Sequence, residues 1–427
     1  YPVAFLEEDK LKIGGMIHGF PVIDTKELKN YAQKREITSA LIAKHYHPSE
    51  LKTLMDELSK AGIEEIKKIG LIENHTDIKD ISIEDLLARE PKDLDTETVA
   101  RFISGKTVLI TGAGGSIGSE ITRQCARFGA KKLILVENGE YNLYKISDEL
   151  SGFESANKLV SVTDKERLAK VFDEFRPQIV IHAAAYKHVP LAEENIDETV
   201  NNNIFGTKNA LEAAIEFGAE KFVLISTDKA VRPTNVMGTT KRICELIAQN
   251  VKQKYPNSKT EIAAVRFGNV IGSSGSVIPK FKEQIAAGGP ITVTHPDIER
   301  YFMLISEACA LVLQAAAIAE GGEIFILDMG ERVKIIDVAK KMLELTHKEH
   351  DIKIVFTGLR PGEKLIEELL TDESAASTEY PSITVAKESI CDYLALEKKL
   401  ESLQTDTDKL PILKELVPEF NHQTHGN

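Results

Sequence analysis

Paired cysteines are missing from this 427-residue chain. Its four cysteines, Cys125, Cys244, Cys309 and Cys391, stand far apart with no CxxC spacing and no histidine cluster beside them. That excludes a disulfide framework and a zinc site; all four read as packing residues of a reducing compartment, and no metal is expected. Long apolar runs are missing too: none reaches 18 residues and no signal-peptide pattern appears, so nothing here is expected to span a bilayer. Lysine and arginine tracts are absent and the formal charge is −13, which excludes a nucleic-acid partner because polyanion binding is dominated by cationic contacts. The chain opens on "YPVAFLEEDK" without an initiator methionine, already in a strand-like pattern, and is expected to be a piece of something longer.

What is present is an ordinary globular composition, 42% apolar, on a chain long enough for two domains. Residues 1–88 alternate short apolar runs (Val3 to Leu6, Pro21 to Ile23, Ile37 to Ala43, Ile63 to Ile69) with polar helical stretches such as Pro48 to Lys60. This predicts a small α/β domain with a parallel sheet. Residues 89–106 are charged and hold a proline, and read as a linker. From 107 the apolar runs "TVLIT", "KLILVE", "KLVSV", "IVIHAAA", "KFVLIST", "EIAAVRFG" and "GEIFILD" alternate with amphipathic segments. Such continuous apolar strands predict an α/β fold with a doubly wound parallel sheet buried on both faces. That domain is placed at 107–370, followed by a charged helical tail, 371–427.

"TVLITGAGGSIGSE" is a strand, a glycine turn and a helix start, with glycines at 112, 115 and 118. The pattern suits a pyrophosphate, which needs close backbone approach and a helix N-terminus with free N–H groups. A turn that merely closes strand onto helix is the alternative. Glu137 ends the second strand, where a carboxylate accepts bonds from an adenosine ribose and repels a 2′-phosphate, favouring NAD over NADP. A solvated strand-end acid is the other reading, and Asn138 and Lys145 are further candidates for that pocket. "IVIHAAAYKHVP" ends its strand in the small residues Ala183, Ala184 and Ala185, followed by Lys187 and His188, either at the mouth of the crevice or on a solvated loop.

"KFVLIST" delivers Thr227 at a strand end with Asp228 and Lys229 next, and "NVMGTTKRICELIAQNV" places Met237 and Lys241 on one helix face. This resembles the extended short-chain dehydrogenase/reductases, in which a Ser or Thr, a helix Tyr and a Lys four residues on form the reacting set. Thr227 and Lys241 match that set; Met237 does not. "TGAGGSIGSE", "HAAAYKHVPLAEEN", "STDKAVRPTNVMGTTK", "RFGNVIGSSGSVIP", "THPDIERYFM" and "GLRPGEKL" resemble in particular the large bacterial UDP-N-acetylglucosamine 4,6-dehydratases of surface-glycan and protein-glycosylation pathways. "FLEEDKLKIGGMIHGFPV" and "IEDLLAREP" extend the likeness through the first domain.

The resemblance implies a Rossmann core with a smaller C-terminal substrate-binding portion, after a truncated Rossmann-like domain that lacks its glycine turn. It implies NAD held by Gly112, Gly115, Ser116, Ile117, Gly118, Glu137, Asn138, Val162, Ala183 to Ala185 and Lys241, and UDP-N-acetylglucosamine held by Lys187, Asn203, Arg266, Asn269, Arg300, Arg360 and Glu363. For each arginine a surface ion pair is the alternative. Family members carry membrane helices before the first domain, so the full-length protein is expected at the inner membrane, its catalytic part facing the cytoplasm, and a homo-oligomer is expected.

In the implied reaction C4 is oxidised, water leaves across C5 and C6, and hydride returns to C6. Lys229 is expected as the C5 base, its pKa lowered by burial or by the cations of Lys241 and oxidised nicotinamide, and Asp228 as the acid at O6, with a raised pKa or a shared proton. Met237 has no proton to exchange and reads as packing; the O4 proton then leaves through Thr227, with Asp228 or water behind it. A UDP-hexosamine 4-epimerase, which needs no such acid and base, and a non-catalytic NAD-binding sensor are the rival readings.

Overall fold

The computed structural model describes residues 2–44, 46, 48–63, 65–72, 75–81, 83–87, 94–370, 375–388 and 390–423. The chain divides into two compact units, 1–90 and 91–427.

The first unit holds two three-stranded sheets. Phe5–Glu7 runs parallel to Phe20–Asp24, which pairs antiparallel with Met16–Ile17; Ser39–Ile42 runs parallel to Glu65–Ile72, which pairs antiparallel with His75–Asp80. The expected helix is present as Pro48–Lys60, and its Leu51, Leu54, Met55 and Leu58 form the buried stripe that a 3.6-residue period dictates. The sheet is thus divided and only partly parallel, not the single parallel sheet expected.

In the second unit nine strands form one sheet. In chain order they are β1 (Thr107–Thr111), β2 (Lys132–Glu137), β3 (Ser155–Leu159), β4 (Ile179–His182), β5 (Lys221–Ile225), β6 (Glu261–Arg266), β7 (Ile324–Leu327), β8 (Ala375–Ser377) and β9 (Ile383–Ala386). Their spatial order is β8-β9-β7-β6-β5-β4-β1-β2-β3, parallel from β3 to β7 with β8 and β9 antiparallel at one edge. The order reverses between β1 and β4, so a crevice opens outside their carboxyl ends, where open α/β sheets bind ligands. Asn269–Ile271, Glu299–Leu304 and Arg332–Lys334 form a small separate sheet.

Two boundaries differ from expectation. The described part of the presumed linker carries the helix Thr96–Ile103, capped by the Asp95 carboxylate accepting from the Thr98 N–H, with Val99 and Ile103 fully buried. The presumed tail supplies β8, β9 and two helices, Tyr393–Thr405 and Leu410–Leu416, whose leucines complete the core beneath β4 to β7. Its last described residues form a strap. The Asn421 and Gln423 N–H groups donate to the carbonyls of Pro233 and Thr234, the Gly362 N–H donates back to Gln423, and Phe420 is buried behind them. "KLVSV" also sits later than its strand: Val160 and Val162 follow β3 and turn inward.

Candidate active site

Turn chemistry builds the floor of the crevice. Gly112 takes φ +65°, and a Cβ there would stand 2.8 Å from the Ala184 nitrogen; one on Gly118 would stand 2.0 Å from the Gly112 carbonyl. Only glycine permits this approach of β1, β4 and the helix Ser116–Arg127. That helix begins at Gly115 with no side-chain cap, so its first-turn N–H groups stay available to an anion.

Two cavities meet over this turn. The smaller, about 160 Å³, is lined by Gly112, Gly115, Glu137, Asn138, Val162 and Ala183 to Ala185, all expected at the cofactor. The larger, about 700 Å³, takes over at Gly115 to Gly118 and reaches Lys187, His188, Thr227, Lys229, Met237, Lys241 and Asn269. Glu137 is less free than expected. Its Oε2 accepts the Gly114 N–H at 3.0 Å and its Oε1 those of Asn138 and Gly139 at 3.0 and 2.9 Å, so it shapes the turn while facing the small cavity. Lys145 lies over the Tyr141 ring, 5.9 Å from its centroid, rather than in the pocket.

β5 ends in a hydrogen-bonded cluster. Thr227 Oγ1 donates to Asp228 Oδ1 at 2.9 Å, and Lys229 Nζ donates to the same oxygen at 3.0 Å and to Asn269 Oδ1 at 3.3 Å. Asp228 is fully buried, and its Oδ2 has no hydrogen-bond partner among the described residues. Burial presses the Lys229 pKa down, but the charges of Asp228 and Glu367, the latter 3.3 Å away, more than offset it and hold the ammonium above its ordinary range. This corrects the expectation of a lowered pKa: burial does act, but it brings two carboxylates with it. Sequence reading missed Glu367; the one signal was the acidic pair Glu367-Glu368 inside the apolar stretch "LIEELL".

Across the cavity lies the helix Val236–Asn250, capped by Asn235 Oδ1 accepting the Gly238 N–H at 2.8 Å. A Cβ on Gly238 would stand 2.2 Å from the Lys229 carbonyl, so this glycine lets the helix press against the turn. Met237 is 3% exposed and packs into the cavity wall. Lys241 is buried, with no hydrogen bond or ion pair to its Nζ among the described residues, and burial pulls its pKa down.

Several expected substrate residues are spent elsewhere. Arg266 is fully buried, bidentate to Glu245 at 2.7 and 3.1 Å and paired with Glu388 at 2.8 Å. Glu245 also accepts from Ser226 Oγ at 2.6 Å, and Arg242 joins the network through Glu245, Glu388 and Glu419. Arg266 therefore ties β6 to the helix Val236–Asn250 and has no face left for a diphosphate. Arg300 donates to the carbonyls of Glu299, Lys364 and Leu365, pinning the segment that carries Glu363 and Glu367. Asn203 uses all four amide positions, on Tyr186, Asn202 and Thr240, beneath the cavity floor. Arg360 is exposed, its N–H donating to Glu363, and neither residue lines the cavity. Lys187 does line it; burial lowers its pKa, and it carries no ion pair among the described residues.

Comparison with known proteins agrees with this architecture. Over 416 residues the chain is 46% identical to the probable polysaccharide biosynthesis protein EpsC of Bacillus subtilis, covering 94% of this chain and 69% of EpsC. It is 55% identical over 299 residues to the capsular polysaccharide biosynthesis protein CapD of Staphylococcus aureus, covering 69% of this chain and 50% of CapD. A UDP-N-acetylglucosamine 4,6-dehydratase (inverting) of Campylobacter jejuni is 33% identical over 293 residues, covering 68% of this chain and 85% of that enzyme. The chain thus spans only half of one of these relatives and about two thirds of another. No helix among its described residues is long and apolar enough to cross a membrane. The profile of the family described as "Polysaccharide biosynthesis protein" matches residues 108–388, the stretch that contains the glycine turn, the Thr227 to Lys229 turn and the Lys241 helix, and the chain belongs to that family.

Proposed function

We propose that this chain carries an NAD-dependent 4,6-dehydratase that converts UDP-N-acetylglucosamine to a UDP-4-keto-6-deoxy-N-acetylhexosamine. The observation that carries the reading is the hydrogen-bonded run of Thr227, Asp228 and Lys229, in which Thr227 and Lys229 line the larger cavity and buried Asp228 joins them from behind, next to the smaller cavity over the glycine turn. An epimerase needs hydride transfer alone, whereas elimination also needs an acid and a base beside the sugar. The trench suits NAD: glycines where no Cβ fits, an uncapped helix N-terminus for the pyrophosphate, and Glu137 facing the adenosine end.

When bound, NAD would take hydride from C4 of the hexose and return it to C6. This chain's residues then manage protons. Thr227 Oγ1 accepts the O4 proton and passes its own to Asp228 Oδ1, to which it already donates. Asp228, now protonated, delivers that proton to the departing C6 hydroxyl, and water leaves. Lys229, after giving up a proton of its ammonium to solvent, takes the C5 proton and returns one to C5 after exchange with solvent. Lys241 binds the nicotinamide ribose and adds positive potential, and Met237 packs. Lys187 is the cation facing the diphosphate. A homo-oligomer, and a membrane anchor elsewhere in the full-length protein, belong to the same reading.

The test is product NMR after incubation with UDP-N-acetylglucosamine and NAD in deuterated buffer without reductant. The expected product is a 4-keto-6-deoxy sugar with one deuterium at C5. UDP-N-acetylgalactosamine alone would favour the epimerase, and unchanged sugar with bound NAD would favour a non-catalytic sensor.

A further inference from the structure

Beside the Asp228 turn stands a carboxylate that the reaction above leaves unused. Glu367 is 2% exposed and does not line the cavity. Its Oε1 lies 3.3 Å from Lys229 Nζ and 3.9 Å from Arg300 Nε, while its Oε2 is buried without a hydrogen-bond partner among the described residues. Asp228 Oδ2 is in the same condition. A buried carboxylate oxygen without a donor costs roughly 1–3 kcal/mol or more, so two of them around one ammonium are unfavourable as mere fold supports. Arg300 offers Glu367 only a distant charge: its terminal nitrogens donate to three main-chain carbonyls, and its Nε stands 3.9 Å from Oε1 without a hydrogen bond to either carboxylate oxygen.

We propose that Glu367 is a positioning residue for Lys229: its buried carboxylate, reaching in from a distant segment of the chain, holds Nζ at the cavity wall and governs how readily it releases its proton. The catalytic consequence rests on the reading of Lys229 as the C5 base. Four other groups bear on Nζ. Asp228 and the Asn269 side-chain amide oxygen Oδ1 touch it, Arg300 opposes its charge, and Lys241 faces the same cavity. With Glu367 neutral, only Asp228 is left to offset burial and Arg300, so the free amine becomes more abundant at a given pH.

The test is competitive acylation of the whole chain with trace acetic anhydride at pH 8.5, read by mass spectrometry as the ratio of Lys229 to Lys241 labelling. Glu367→Gln is expected to raise that ratio about tenfold, since removal of one adjacent charge shifts a pKa by about one unit or more. General loosening of the fold would speed both lysines together, so an unchanged ratio overturns the proposal. Glu367→Asp, which withdraws the carboxylate by one methylene, serves if the glutamine variant does not fold: a smaller rise is expected, and an unchanged ratio again overturns it. The ratio is independent of sugar turnover. In an active enzyme the ascending limb of kcat against pH should also move to lower pH in Glu367→Gln; an unmoved limb beside a raised ratio would sink Lys229 as the base and leave Glu367 where it is placed here.

Discussion

Two lysines face one cavity, and their surroundings shift their proton affinities in opposite directions. Lys229, on the turn after β5, touches two carboxylates and is pushed toward its charged form; Lys241, on the facing helix, touches none and is pushed toward its neutral form. The residue type is the same and both are largely shielded from water, so burial alone does not decide the chemistry. What decides it is which charges burial brings along. The paired lysine suits proton exchange with the groups that hold it, and the unpaired one is left to bind whatever enters.

The contrast breaks most sharply at the turn. Lys229→Met and Asp228→Asn are each expected to lower turnover by roughly 10²- to 10⁴-fold, with NAD still bound by fluorescence titration; near-normal turnover in either would end the roles given to them. On the other side, Lys241→Met is expected to cost about 10²-fold in kcat/KM and, unlike the turn variants, to weaken NAD binding. Equal NAD affinity in the two sets would erase the contrast. The Lys241 helix is anchored from behind by Arg266, so Arg266→Met is expected to destabilise the fold by about 3 kcal/mol, the cost of leaving two buried carboxylates, Glu245 and Glu388, to share Arg242 as their remaining cation. Wild-type melting with only a raised KM for the sugar nucleotide would return Arg266 to the substrate.

Two finer effects sharpen the picture. Thr227→Val should slow turnover about tenfold or more through loss of the O4 proton path, visible as a larger substrate deuterium effect at C4. His182, buried beneath the Lys241 side between Thr111 and Thr207, has its pKa pushed down to about 3 by burial and then by Lys241. Its neutral form belongs to the folded state, so its contribution is complete above about pH 6.5 and is lost as pH falls toward 3, at about 1.4 kcal/mol per unit. Denaturant melts of His182→Asn should show a flatter acid limb, and an unchanged slope would mean that His182 does not titrate this way.

The glycine turn, the strand ends and the Thr227 to Lys241 spacing were legible in the sequence because each is a local requirement: no Cβ at 112 or 118, side chains delivered where a strand stops, one helix face. Long-range pairing was not. Arg266 looks like a phosphate ligand until Glu245, 21 residues earlier, and Glu388, 122 residues later, neutralise it. Arg300 and Asn203 look like ligands for the same reason, and only their partners reveal them as supports. Lys229 was assigned its task, but not its proton affinity, since Glu367 enters from 138 residues away. The tail appeared empty because its charged helices hide the leucines that face inward.

That tail also sets an order of events. The strap at 420–423 clasps the chain just before the Lys241 helix, so both lysines are translated long before that clasp can form. At roughly 5–20 residues per second, about 10 to 35 seconds separate the making of Lys241 from that of Gln423. Through that interval the nascent cavity lacks its clasp, and a ribosome paused there would display an unfinished pocket to whatever chaperone stands at the tunnel exit.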